Sequence, residues 1–119
     1  MADETKSPQT TIFVTVEVDP SNADKFLAAM RPCYEGCAKE SELIFFHVFR
    51  DEDHPGVFHF IEYWAKDRKW FEEIQMNKDY YHPYSEITQP MWIKPRVIRY
   101  LDPIPGWRTL KSEFPSLAA

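Results

Sequence analysis

At 119 residues the chain has room for one domain with a real core, not for two. Its 44% hydrophobic and 28% charged content is that of a globular chain rather than a disordered one. A net charge of -5 repels phosphate backbones and anionic lipid, so neither nucleic acid nor a membrane is an expected partner.

Met1 to Thr10 is polar, lacks the apolar core of a signal peptide, and reads as a flexible N-terminal arm over 1-10. No run reaches membrane-spanning length, so the expected compartment is the cytoplasm. Thr11 to Val18 alternates as a strand, with Ile12, Val14, Val16 and Val18 on one face and Phe13, Thr15 and Glu17 on the other. Asp19-Pro20-Ser21 stops it and opens a helix carrying Phe26, Leu27, Met30, Cys33, Tyr34 and Cys37 at helical spacing. Pro32 should kink this helix or restart it. Glu42 to Arg50 and Val57 to Trp64 read as a hairpin around the turn-rich Asp51 to Gly56. Lys66 to Met76 is a second helix, with Trp70, Phe71 and Ile74 at helical spacing. Asn77 to Met91, broken by Pro83 and Pro90, is a short helix or ordered loop. Arg96 to Leu101 is the last strand, and 102-119 is a Pro-rich C-terminal arm. The order β-α-β-β-α-β predicts an α+β, ferredoxin-like antiparallel sheet over 11-101, with helices on one face.

The second and third strands are apolar on both faces. Ile44, Phe46 and Val48 oppose Phe45, His47 and Phe49; Phe58, Phe60, Glu62 and Trp64 oppose His59, Ile61 and Tyr63. Helices cover only one face, and exposed apolar area costs about 25 cal/mol per Å². A second copy of the chain is the simplest cover, which predicts a homodimer with two sheets face to face. The alternative cover is the C-terminal arm.

The hairpin and its flanks resemble the antibiotic biosynthesis monooxygenase family of dimeric α/β-barrel proteins. The resemblance rests on Glu62-Tyr63-Trp64, which matches the family's Glu-x-Trp at the end of strand three. It rests also on the helix end Ala38-Lys39-Glu40-Ser41-Glu42 followed by a strand with Phe46, and on the acidic turn Asp51 to Pro55. It implies a cavity between sheet and helices in each subunit, and oxidation of phenolic polyketides, anthrones or quinols without metal, flavin or other cofactor. The substrate would itself be the reductant for molecular oxygen. The anthrone-oxidising members carry an Asn on strand three, where this chain has Phe58 and Phe60. Many members carry a His in the second helix, where this chain has Gln75 or Met76.

Several residues suit such chemistry. His82, among Tyr80, Tyr81 and Tyr84, has the ingredients for acid-base work on a phenol. Tyr81 and Tyr84 are donors or stacking partners, Glu62 is a pocket acid or base, and Asn77 is a helix cap or pocket donor. Trp64, Phe46, Phe58, Phe60 and Trp70 are expected to line the pocket. Arg96 and Arg99, three apart on one strand, point to opposite faces, and one could steady a phenolate. His47 and His59 belong to the outer face as packed residues; no metal set is expected. Cys33 and Cys37 read as structural thiols, because helical side-chain directions do not favour a disulfide.

The function expected is a cofactor-independent monooxygenase acting on a small aromatic substrate. The alternatives are a cyclase, isomerase or decarboxylase on the same scaffold, and a protein that binds a small ligand without transforming it.

Overall fold

The computed structural model describes residues 8-111. Four strands, β1 (Thr10–Glu17), β2 (Leu43–Arg50), β3 (Val57–Trp64) and β4 (Val97–Leu101), form one antiparallel sheet in the order β2-β3-β1-β4. This is the ferredoxin-like arrangement expected from the sequence. Helices α1 (Ala23–Ala38), α2 (Arg68–Glu73) and α3 (Tyr81–Thr88) connect the strands, with short 3-10 turns at Pro20–Asn22, Gln75–Asn77 and Gln89–Met91.

The core lies between the sheet's inner face and the helices. Ile12, Val14, Val16, Phe58, Phe60 and Trp64 supply the sheet side; Phe26, Met30, Cys33, Cys37, Phe71 and Tyr84 supply the helix side. Phe26 stacks on Phe58 at 4.9 Å between ring centres. Asp67 caps α2 by accepting from the Trp70 backbone N–H at 2.9 Å.

Four local readings change. The chain pairs earlier than the expected arm boundary: Thr10 sits opposite Trp64, and Gln9 donates its backbone N–H to the Trp64 carbonyl at 2.9 Å. Residues 1-7 of that arm lie outside the described residues. A bulge between Leu43 and Phe45 makes Ile44 the extra residue, so Leu43 packs on the core beside Phe46 and Val48 where Ile44 was expected. Pro32 does not divide α1, which runs on from Ala23 to Ala38. Pro32 and Ala28, whose carbonyl loses its helical partner to the proline, are both exposed to water. The second helix ends at Glu73, and Ile74 is exposed rather than packed.

The outer face bears Phe13, Phe45, His47, Phe49, Ile61 and Tyr63, and Phe49 is 39% exposed in the single chain. The C-terminal arm is exposed over 102-111, with Trp107 at 85%, and does not lie back over the sheet; 112-119 fall outside the described residues.

Candidate functional site

The strand period of two puts Phe60 and Glu62 on the inner face of β3, with Val14 and Ile98 beside them on β1 and β4. The helical period puts Met30, Cys33, Tyr34 and Cys37 on one side of α1. Between these surfaces lies a cavity of about 40 Å³. Phe46, Phe71, Met76, Tyr81, Tyr84 and Arg96 complete its wall. Space of this size holds a water molecule or two, not an aromatic ring. Met30 and Met76, unbranched and adaptable, are the wall residues best suited to yield.

Glu62 is the acid of this cavity. Its carboxylate accepts from the Trp64 indole N–H at 2.9 Å. Burial pushes its pKa up to about 7, against the opposing pull of the Trp64 hydrogen bond and the Arg96 charge. Arg96 enters the wall from just before β4, with its guanidinium 5.3 Å from the centre of the Trp92 ring. Tyr81 and Tyr84 are both driven above the ordinary phenol range, first by burial. They are therefore protonated donors at neutral pH. The Tyr84 hydroxyl is buried with no hydrogen-bond partner among the described residues. Donating its own S–H to its neighbour Cys37, followed by burial, pushes the Cys33 thiol far above the ordinary range, which leaves it a poor nucleophile. Both cysteines are free thiols.

Of the residues singled out in the sequence, Glu62, Tyr81, Tyr84, Phe46 and Phe60 meet at this cavity. Five others sit elsewhere. His82 is exposed on α3, because the helical turn that brings Tyr81 and Tyr84 inward carries it out to solvent. Asn77 is exposed and donates its side-chain N–H to the Glu73 carbonyl at 2.8 Å, closing the end of α2. Trp64 is fully buried behind Glu62, against Trp70 and Phe71. Phe58 is taken up by its stack on Phe26, and Trp70 by its contact with Trp64. The α1 residues and Gln75 are additions. The helical spacing of the α1 residues was visible in the sequence, where it read as ordinary core; Gln75 was noted there only as standing where many members of the family carry a His.

A second depression, of about 520 Å³ and open to solvent, lies at one end of the outer face. Most of its polar groups pair with one another: Lys94 with Glu17 at 3.1 Å, His54 with Asp51 at 3.1 Å, and Thr15 with His59 at 2.9 Å. Among the described residues no group of three His, Cys, Asp or Glu is placed to hold a metal ion, and no helix is long and apolar enough to cross a membrane.

Residues 10-73 match the family model described as antibiotic biosynthesis monooxygenase. A relative from Pestalotiopsis microspora, provisionally named a monooxygenase, is 30% identical over 100 residues, which span 84% of this chain and 83% of its own. Among solved structures, an antibiotic biosynthesis monooxygenase superposes with a TM-score of 0.72 at 22% identity, covering 81% of this chain and 99% of its own. A conserved protein from Methanosarcina mazei gives the same TM-score at 15% identity, covering 85% and 97%. At these identities the two structures speak to the fold.

Proposed function

The chain belongs to the antibiotic biosynthesis monooxygenase family, and from that premise we propose that it is a cofactor-independent monooxygenase acting on a small phenolic or quinol substrate, working as a homodimer. The observation that carries this reading is Glu62: a carboxyl on the wall of an otherwise apolar cavity, with its pKa raised to about 7. A base of that strength holds a proton loosely near neutral pH, as removal of a phenolic proton requires. The phenolate formed is electron-rich at ring and benzylic carbon. Such a carbon reduces oxygen and takes it up as a hydroperoxide; loss of water then leaves a carbonyl. One oxygen atom ends in the product and the other in water.

Tyr81 and Tyr84 supply hydroxyl donors for the substrate's oxygen, and Arg96 supplies charge. Phe46, Phe60 and Phe71 keep bulk water away. A single ring needs the smallest movement of the wall, so monocyclic phenols and quinols are preferred to fused-ring anthrones. The apolar outer face supports the dimer, because in a lone chain Phe45, Phe49 and Ile61 would stay partly wet.

Oxygen consumption with a panel of hydroquinones and anthrones tests the reading. The expected result is uptake with a monocyclic quinol, abolished in Glu62→Gln. A ligand that raises the melting temperature of the protein without being consumed would instead support a binding protein, a reading favoured by the tightness of the cavity.

A further inference from the structure

Behind the cavity wall, next to Tyr81, lies a set of partly buried polar groups to which the proposed chemistry assigns no role. Gln75 is completely buried in the turn after α2. Its side-chain amide nitrogen donates to the Tyr80 hydroxyl at 2.8 Å and to the Tyr81 hydroxyl at 3.2 Å. The Tyr80 hydroxyl in turn donates to the Glu40 carboxylate at 2.6 Å, and Lys78 stands 3.5 Å from that same oxygen. Tyr81 also lies 3.3 Å from the Cys37 sulfur. The Gln75 amide oxygen has no partner among the described residues.

The donor logic of this chain runs in one direction. An ionised carboxylate only accepts, so the Tyr80 proton is committed to Glu40. The Tyr80 oxygen is then free only to accept, and what faces it must be an N–H. Turning the Gln75 amide over would set its carbonyl oxygen against lone pairs on Tyr80. The amide is held with its N–H bonds toward Tyr80, Tyr81 and, at 3.7 Å, the Cys37 sulfur, although this leaves its own oxygen orphaned among the described residues at a cost of about 1–3 kcal/mol. Tyr81 therefore receives a hydrogen bond from Gln75 and keeps its own proton to give. Among the described residues the acceptor it meets is the Cys37 sulfur at 3.3 Å, a weak one.

Gly36 makes the arrangement possible. A Cβ at this position would lie 2.6 Å from the Tyr80 ring, so only glycine lets that ring close on α1.

We infer that Gln75, set by Tyr80 and Glu40, is a positioning residue that aims the Tyr81 hydroxyl into the cavity as a donor to an anionic oxygen of the ligand. This rests on the reading of the cavity as a phenol site.

The test uses 4-nitrophenolate and its uncharged isostere 4-nitroanisole as probes, binding to the full chain. The wild type is expected to prefer the phenolate. Tyr81→Phe should weaken phenolate binding by about tenfold or more, the range for a hydrogen bond to a charged group, and leave nitroanisole unchanged. Gln75→Leu should do the same, and the double variant Gln75→Leu/Tyr81→Phe should be no weaker than Tyr81→Phe alone. A merely structural role for Gln75 would weaken both probes together. If Gln75→Leu does not fold, Tyr80→Phe and Gly36→Ala reach the same relay from outside the cavity and should lose phenolate preference selectively.

Wild-type phenolate affinity in Gln75→Leu, or losses that multiply in the double variant, would overturn the inference while leaving the phenol site standing. A wild type that binds neither probe would remove the phenol site, and the inference with it.

Discussion

The Trp64 indole N–H donates to the Glu62 carboxylate at 2.9 Å, and both side chains are shut off from water, at 0% and 5% exposure. A strand places residues two apart on the same face, so the Glu-x-Trp spacing suffices to make this pair. The tryptophan is then a support for the acid rather than a surface for the substrate. It gives the carboxylate a donor, while the cavity around Glu62 withholds water.

Glu62→Gln should abolish turnover and change how stability depends on pH. The folded protein holds the Glu62 proton up to about pH 7, whereas an unfolded chain releases it near 4.5. The stability linked to this group is full below pH 4.5, falls as pH rises through 7, and amounts to roughly 3 kcal/mol. Urea unfolding of the wild type at pH 5 and pH 8 should show that fall. The glutamine variant should show less of it, and at pH 8 should match or exceed the wild type.

Trp64→Phe removes the donor that favours the ionised acid. The pKa of Glu62 should climb further, and the rising limb of the pH–rate profile should move to higher pH. Stability should drop by about 2–4 kcal/mol, from the lost hydrogen bond and a cavity where the larger ring stood. A pH–rate profile in the same place as the wild type's would show that the indole does not tune the acid.

Phe60 fills space that a ring would need. Phe60→Ala should cost about 3–5 kcal/mol of stability. In exchange, phenol should raise the melting temperature of the variant by more than that of the wild type. Thermal scans with and without phenol would decide it.

His82→Ala should keep its rate within about twofold of the wild type, because surface changes away from special features are close to neutral. The sequence put this histidine among three tyrosines, with Asp79 three residues before it; the fold turns it outward. A large loss of rate in this variant would return it to the list of proton carriers.

Ile61→Asp places a charge in the middle of the outer sheet face, on β3, one strand in from the edge strand β2. A buried charge without a partner is costly, so the proposed dimer should give way to monomers in sedimentation at micromolar concentration. An unchanged dimer would mean that this face is not the contact.

Much of this was legible in the chain. The period-two alternation of Val57 to Trp64 and the stops at Pro20 and Gly56 foretold the strands and their faces. The faces in turn brought Phe60 and Glu62 to the cavity. What could not be read was which neighbour each polar group would find. His82 and Tyr81 are adjacent in sequence, and nothing local says which one α3 turns inward. Gln75 looked like a departure from the family's pattern, because the tyrosines that occupy it come from beyond Lys78. The bulge at Ile44 was equally hidden, since an apolar residue suits either side of a strand that is apolar on both.

Pro32 has a consequence for access to the buried space. The helix that carries Met30, Cys33 and Cys37 along the cavity lacks one rung of its hydrogen-bond ladder on the side facing water. Bending α1 at that point breaks no bond there, so the wall that α1 gives the cavity can flex without breaking a hydrogen bond at that turn.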